Sequence, residues 1–600
     1  MSKYRFPGAC AALLLSAGAH PADLATIVVT ATRQPTRINE VVTDVTVIDR
    51  EAIERAGPTT LPALLAAQPG LHLVDNGGVG KAASVFLRGT SATHTLLLVD
   101  GMPFGSATTG QPSLHNLPLS QIERVEILRG PASSLYGSDA IGGVIQVFTR
   151  RGEGPPRLDA YAGIGSRDST DARIGVSGGN ERLSWSVAKA DFRSAGFSVA
   201  ADPVRYRVVN GTAPNPDADG YRNSSLSARL AWQAAAGHEL QVNILEAGSR
   251  NAFDSGGAAI DAFNNDKSRV HGLQWRARFS PMWTSTLRMG LSEDNSSSFA
   301  PNCSQFATQQ RQTSWQNDVQ LPVGTLLVAL ENTDQGVTST TSYAIRHRQT
   351  RSTVLGYQGN LGAHGWQLSL RRDRNSQFGS HGTHTLAYGY RLTSEWQLRL
   401  AQGTAFKAPT FNQLYFPGFG KASLQPEQAR NAEAGLAWDN GRQRATFTRY
   451  DNRIENLIAG NPVTNIGKAR IRGGSLAGGM QAGPWSLDGG LDLLQPIDAG
   501  SGYRLQRRPA ETLKLAVQYA PAGWRVGAEL NAVGRRYDTT TQDRIMGGYS
   551  VTHLGAAREI DRDWMLEARV NNLFDRVYEN AWSYAVPRRE LFVGLRYAPK

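Results

Sequence analysis

At 600 residues the chain is long enough for several soluble domains, but 63 glycines against 7 methionines, with 18 tyrosines and 12 tryptophans spread throughout, suit many strands and tight turns better than helix-rich layers. The formal charge of +12 comes from 63 basic and 51 acidic residues scattered singly between apolar ones, which argues for solvated lumen and loop charge and against a nucleic-acid partner. No segment after the N-terminus offers the roughly 18 unbroken apolar residues of a spanning helix, so any bilayer crossing falls to strands, and that requires a closed barrel.

Residues 1–22 read as an export signal: Lys3 and Arg5 supply positive charge, residues 9–18 form a short apolar run, and small residues lead to cleavage near Ala22. Cys10 lies inside it. Cys303 is then the one cysteine of the mature chain, which excludes an intramolecular disulfide. Residues 23–150 read as a small α+β domain. Residues 45–48 form a β-rich run, Asp49 caps a helix ending at Gly57, and Thr60 caps another through Leu64 and Leu65 that stops at Pro69 and Gly70. Three short strands follow at 85–87, 95–99 and 125–128.

From 151 to 600 a two-residue period takes over. Leu513, Leu515, Val517 and Tyr519 oppose Lys514 and Gln518; Leu287, Met289 and Leu291 oppose Arg288 and Gly290; Leu591, Val593, Leu595 and Tyr597 alternate likewise at the C-terminus. This is a strand with lipid outside and water inside, and aromatics near strand ends suit an interfacial girdle. A soluble propeller would need a repeat of about 40 to 50 residues, and none is present. Allowing roughly 20 residues per strand with its loop, the span holds about 22 antiparallel strands, a lumen wide enough to need the N-terminal domain as a plug. The predicted fold is an all-β transmembrane barrel with an α+β plug inside it.

The strings RVEILRGPASSLYGSDAIGGVIQVFTR (124–150), FLRGTSATHTLLLVDG (86–101) and NNLFDRVYEN (571–580) resemble the TonB-dependent outer-membrane receptors. The glycine-rich stretch is not a nucleotide site, because no Gly-Lys-Ser/Thr follows it. Gly137, Gly142 and Gly143 allow the plug to approach the barrel wall, and Arg88 and Arg129 are suited to pair with barrel carboxylates. Ala25, Thr26, Ile27, Val28, Val29, Thr30 and Ala31 look like a TonB box, a segment of high strand propensity able to add to a partner sheet; an ordinary plug edge strand is the alternative.

Within that family RNSQFGSHGTH (374–384), GTAFKAPTFNQLY (403–415), LQPEQ (424–428), NIGKARIRG (465–473) and GRRYD (534–538) are most similar to the cobalamin receptors, although FKAP and LQPEQ recur in siderophore receptors. The resemblance implies cobalamin contacts from Ser84, Ser91, Thr109 and Gly110 at the plug apex and from Arg536 and Tyr584 on the barrel. Ser91 stands where Asn is usual, and Thr109-Gly110 replace Val-Ser. It also implies calcium held by Asp217, Asp219, Asp254 and Asp266, hard oxygen ligands on two outer hairpins, with a further carboxylate replaced near Ser198. An EF-hand reading of NPDADG fails, since Leu226 stands at position 12. His381 and His384 lack a third ligand. The expected function is cobalamin import across the outer membrane, without catalysis, by a monomer in outer-membrane lipid energised by the TonB C-terminal domain. The alternatives are a siderophore or haem receptor and a passive porin; an outer-membrane enzyme finds no GxSxG element or paired carboxylates in support. The chain ends Tyr597-Ala598-Pro599-Lys600, whereas family members finish on the aromatic.

Overall fold

The computed structural model describes residues 28–29, 32–57 and 60–599. The expected export signal lies outside these residues. So does the expected TonB box, except Val28–Val29, whose backbone forms a two-residue antiparallel strand with Thr36–Arg37.

Twenty-two antiparallel strands close a barrel. Closure is made by Arg157–Gly165 pairing with Glu590–Tyr597, from Ala160 opposite Tyr597 to Gly165 opposite Phe592. Every second side chain faces hydrocarbon: Ile174, Leu230, Met289, Leu370, Leu476 and Leu595 are exposed on the outer wall. Their neighbours Lys514 and Arg229 turn inward and are buried against the plug. Short turns join the strands at one rim and longer loops at the other, which makes the short-turn rim periplasmic. Trp232, Trp275, Trp283, Trp396, Trp485, Trp524 and Trp564 all sit near short turns and stay exposed, with the Trp485 ring tilted against Tyr519 at 4.6 Å and the Trp564 ring against Tyr597 at 5.0 Å. An indole prefers this depth because its ring is apolar and its N–H needs a partner. After Tyr597 the Ala598 N–H donates to the Asp563 carbonyl, one step beyond the Trp564–Tyr597 pair.

The plug is built as its capping residues predict. The Asp49 carboxylate accepts from the Ala52 N–H to start Arg50–Ala56, and the Thr60 hydroxyl accepts from the Ala63 N–H to start Leu61–Ala66. A five-stranded sheet orders Asp44–Ile48, Ile122–Arg129, Gly143–Thr149, Thr95–Val99 and Met102–Pro103, with Thr95–Val99 parallel to Gly143–Thr149. Ile48, Leu61, Leu65, Leu97, Val99, Ile127 and Ile145 form its dry core. Of the three glycines expected at the wall, Gly137 is there: a Cβ would lie 2.8 Å from Nη2 of barrel Arg371. Gly142 and Gly143 instead face the plug itself, where a Cβ would meet Thr90 Oγ1 at 2.3 Å and the Leu128 carbonyl at 2.1 Å.

Candidate functional site

Three plug loops, around residues 76–82, 89–91 and 105–111, reach the outer end of the lumen. Ser84 Oγ donates to Gln111 Oε1 at 3.0 Å, and Thr109 beside it is exposed. Gly110 has φ of +71, and a Cβ there would lie 2.5 Å from Thr410 Cγ2 of a barrel loop, so a side chain is excluded by both backbone and space. The loop bearing Thr410 is tied to the apex through the Asn412 N–H, which donates to the Thr108 carbonyl at 3.0 Å. Ser84, Thr109 and Gly110 therefore form one neutral polar surface together with Gln111.

Ser91 sits a step aside, clasped by barrel Arg508, whose Nη2 donates to Ser91 Oγ at 3.1 Å and whose Nε donates to the Gly89 carbonyl at 2.6 Å. Tyr584 packs against the adjoining cluster of Val74, Phe86, Ala92 and Ala581, and its hydroxyl donates to Asn210 Oδ1 at 3.2 Å. Arg536 is fully enclosed rather than presented to the lumen. It lies over the Tyr549 ring at 5.2 Å and donates through Nη2 to the Glu579 carbonyl, while Nε and Nη1 find no protein acceptor. Two unmatched buried donors are costly, and they direct attention to this guanidinium when the overlying loop moves.

On the outer hairpins Asp217, Asp219 and Asp254 bring one carboxylate oxygen each within 4.8 Å of one another. Asp266 is not among them; it lies farther along its strand, 4.0 Å from His115 Nε2. The residue that register places opposite Asp254 is Asp261, which accepts from Asn215 Nδ2 at 2.9 Å. Near Ser198 the Val199 N–H donates to Asp219 Oδ2 at 2.9 Å. Asp254 Oδ1 accepts from the Asn215 N–H at 2.7 Å, but its buried Oδ2 has no partner. An all-oxygen set with an orphaned, buried acceptor fits a hard cation such as calcium. Burial pushes the Asp219 carboxyl above its ordinary range, and plug Lys81 only partly offsets this. Lys81 is itself buried, which lowers it to about 8 against the pull of Asp219, Asp254 and Asp217; its ammonium donates to the Asp219 carbonyl at 3.0 Å and to Asn251 Oδ1 at 2.7 Å. The plug thus reaches the acidic hairpins directly. His381 and His384 do not form a site: His381 stacks on Phe406 at 3.9 Å, and His384 is exposed on the outer wall.

Deeper in the lumen Arg88 pairs with barrel Glu433 at 2.8 Å and with plug Asp44. Arg129, expected to seek the barrel, finds its carboxylate in Asp44 at 3.3 Å, because both stand on the same plug sheet. Burial alone would raise the Asp44 carboxyl, but Arg129 and Arg88 hold it below its ordinary range. His94 Nε2 meets Glu427 at 2.9 Å in a second buried plug-to-wall pair. Arg508, Lys81 and His94 carry no local sequence signal; each is recognised only once a partner from another element is in place.

Two family models match the chain: the TonB dependent receptor-like β-barrel over residues 149–573 and the TonB-dependent receptor plug domain over residues 37–144. The chain is 29% identical over 588 residues to the vitamin B12 transporter BtuB of Photobacterium profundum, covering 95% of each, and 29% identical over 597 residues to that of Vibrio vulnificus, again with 95% of each covered. Among solved structures it is similar to the siderophore receptor PirA from Acinetobacter baumannii (TM-score 0.80, 19% identity, 92% of this chain and 98% of that one). It is likewise similar to the copper transporter OprC (TM-score 0.78, 15% identity, 93% and 100%). At such identities the structural likenesses speak for the fold alone.

Proposed function

Because this chain belongs to the TonB-dependent receptors of the outer membrane, we propose that its cargo is cobalamin, taken up at the plug apex and released inward when TonB pulls on the segment around Val28–Val29. The observation that carries the reading is end-to-end similarity, over 95% of both chains, to proteins named as vitamin B12 transporters. The chemistry of the apex supports it. Cobalamin is a large ring fringed with neutral amides, and Ser84, Thr109 and Gln111 offer neutral donors and acceptors to match. A ferric tris-catecholate is strongly anionic and calls for cations at the contact surface, whereas Ser84, Thr109 and Gln111 carry no charge. Membership in a receptor family removes the porin alternative.

In this reading Ser84, Gln111 and Thr109 orient the ligand, and Tyr584 closes from the side. Arg536 gains an acceptor for its free donors once the loop at 572–589 shifts. Titration of the purified protein with cyanocobalamin and with ferric enterobactin tests the cargo: binding of cobalamin alone is expected, and tight binding of only the siderophore overturns the assignment. Arg536→Ala is expected to weaken cobalamin binding roughly tenfold to a hundredfold, the usual cost of removing one charge-assisted hydrogen bond of about 1.5–3 kcal/mol.

We propose further that Asp217, Asp219 and Asp254 hold calcium that orders the two outer hairpins. Bound there, the ion would supply the positive charge that three converging carboxylates need, beyond what Lys81 provides. Asp254→Asn is expected to lower calcium affinity at least tenfold by isothermal titration and to weaken cobalamin binding in calcium buffer, while leaving binding in chelator unchanged. Equal calcium affinity in the two proteins removes the assignment.

A further inference from the structure

The strands Thr325–Ser339, His347–Leu361, His364–Asn375 and Gly379–Arg391 are consecutive neighbours in the wall. Their alternation buries Ser352, Arg371, Asp373 and Thr383 on the lumen side and exposes Arg351, Arg372, Arg374 and His384 on the membrane side. Register sets Arg351 opposite Arg374, Thr353 opposite Arg372, and Leu370 opposite His384. Three guanidiniums and an imidazole therefore gather on one area of the outer wall, toward the loop end of the strands. They line a shallow trough whose other edge is Leu330, Leu355 and Leu370. These leucines are 49%, 44% and 57% exposed and continue the lipid-facing band.

Charge compensation is missing here, as it is for Arg193, Arg222 and Arg250 elsewhere on the wall; the apolar trough beside the cations is what this area adds. On the lumen side Arg371 pairs with Glu331 at 2.7 Å and Asp373 at 2.8 Å. Farther round the outer wall Arg453, Arg470 and Arg472 share Asp451, and Lys468 reaches Glu455. Of the acids on the first of these strands, Glu331 is buried with Arg33 and Arg371, and Asp334 is taken by His347 at 2.7 Å. Among the described residues no ion pair involves Arg351, Arg372 or Arg374. Two arginines directly opposite each other repel, and unpaired cations on a lipid-facing wall are costly unless the membrane supplies the anion.

We propose that this trough binds the phosphate-bearing headgroup of an outer-leaflet lipid. Arg351, Arg372 and Arg374 take the phosphate oxygens, and the acyl chains lie along Leu330, Leu355 and Leu370. Guanidinium forks match phosphate geometry, and phosphate offers the concentrated negative charge that three of them require. The leucine edge decides for a lipid over a free anion, because one trough joins the cationic surface to the hydrocarbon band without a break.

Native mass spectrometry of the full chain in non-ionic detergent tests this, with bis-phosphorylated lipid A, the same lipid dephosphorylated, and inorganic phosphate as probes. One phosphorylated lipid per chain is expected, with the dephosphorylated form at least tenfold weaker and no displacement by millimolar phosphate. The variant R351Q/R372Q/R374Q is expected to lose affinity on the order of a hundredfold, each cation near an anionic headgroup contributing several-fold. R182Q/R278Q/R562Q makes the same charge change among exposed residues near the short-turn rim and is expected to bind as the parent does. All six positions are exposed, so both variants should keep the β-sheet circular dichroism of the folded barrel. Equal binding of the two lipid forms, undiminished binding by the first variant, or displacement by phosphate at the lipid's own concentration would each overturn the proposal.

Discussion

Replacing Val29 with proline is expected to reduce cobalamin uptake to the level of cells lacking TonB, while leaving cobalamin affinity where it was. The two effects separate because the residue and the ligand site lie at opposite ends of the plug. Val28–Val29 already makes a strand, pairing with Arg37 and Thr36, so its backbone is in the extended form that addition to a partner sheet demands. Proline removes the N–H that a second strand would use and fixes φ near −65°, away from the antiparallel value. Alanine at the same position retains the N–H and should retain most uptake, which isolates the backbone as the cause. Labelled cyanocobalamin accumulation in whole cells reads the first effect and equilibrium binding to purified protein the second. Unchanged accumulation in the proline variant would remove the proposed TonB box from these residues.

The parts of the molecule that were legible in the sequence are those specified within a few residues. Asp49 and Thr60 announce two helices because a cap acts on N–H groups two or three positions ahead. Leu513, Leu515 and Val517 announce a lipid-facing strand because alternation is a property of one strand alone. Strand register is not local, and the misplacements follow from that. The family resemblance points to Asp266 as a ligand, but the hairpin sets Asp261 opposite Asp254. Arg129 resembles a wall contact, but the plug sheet brings it to Asp44. The basic charge looks scattered along the chain, yet Arg351, Arg372, Arg374 and His384 become neighbours once three strands are aligned. Lys81 and the Asp219 carbonyl are 138 positions apart, and Arg508 and Gly89 are 419 apart. No window on the sequence reaches across such distances.

Glu433→Gln is expected to loosen the plug. Arg88 is buried, and its carboxylates are Glu433 on the wall and Asp44 on the plug, the latter shared with Arg129. Neutralising Glu433 leaves two guanidiniums on one carboxylate, with the plug-to-wall tie of Arg88 gone. Breaking one partner of a buried pair costs about 3–5 kcal/mol, so the population of displaced plugs should rise roughly a hundredfold to several thousandfold. Planar-bilayer recordings without TonB should show conductance bursts in the variant where the parent stays closed. Arg88→Met combined with Glu433→Met removes both charges together, leaves Asp44 to Arg129, and should close the barrel again, because a matched apolar replacement of a buried pair is close to neutral. Acid should act instead on the plug's own fold, because Arg88 and Arg129, the partners of Asp44, are both plug residues. Asp44 titrates below its unfolded value, so its contribution to plug stability is fully present above the ordinary aspartate range near pH 4 and is lost as pH falls through the lowered value. Denaturant unfolding of the plug should therefore become easier on strong acidification and not in alkali. A silent Glu433→Gln variant would mean that the plug is held chiefly by other wall contacts, of which plug Arg33 with wall Glu331, and His94 with Glu427, are the strongest candidates.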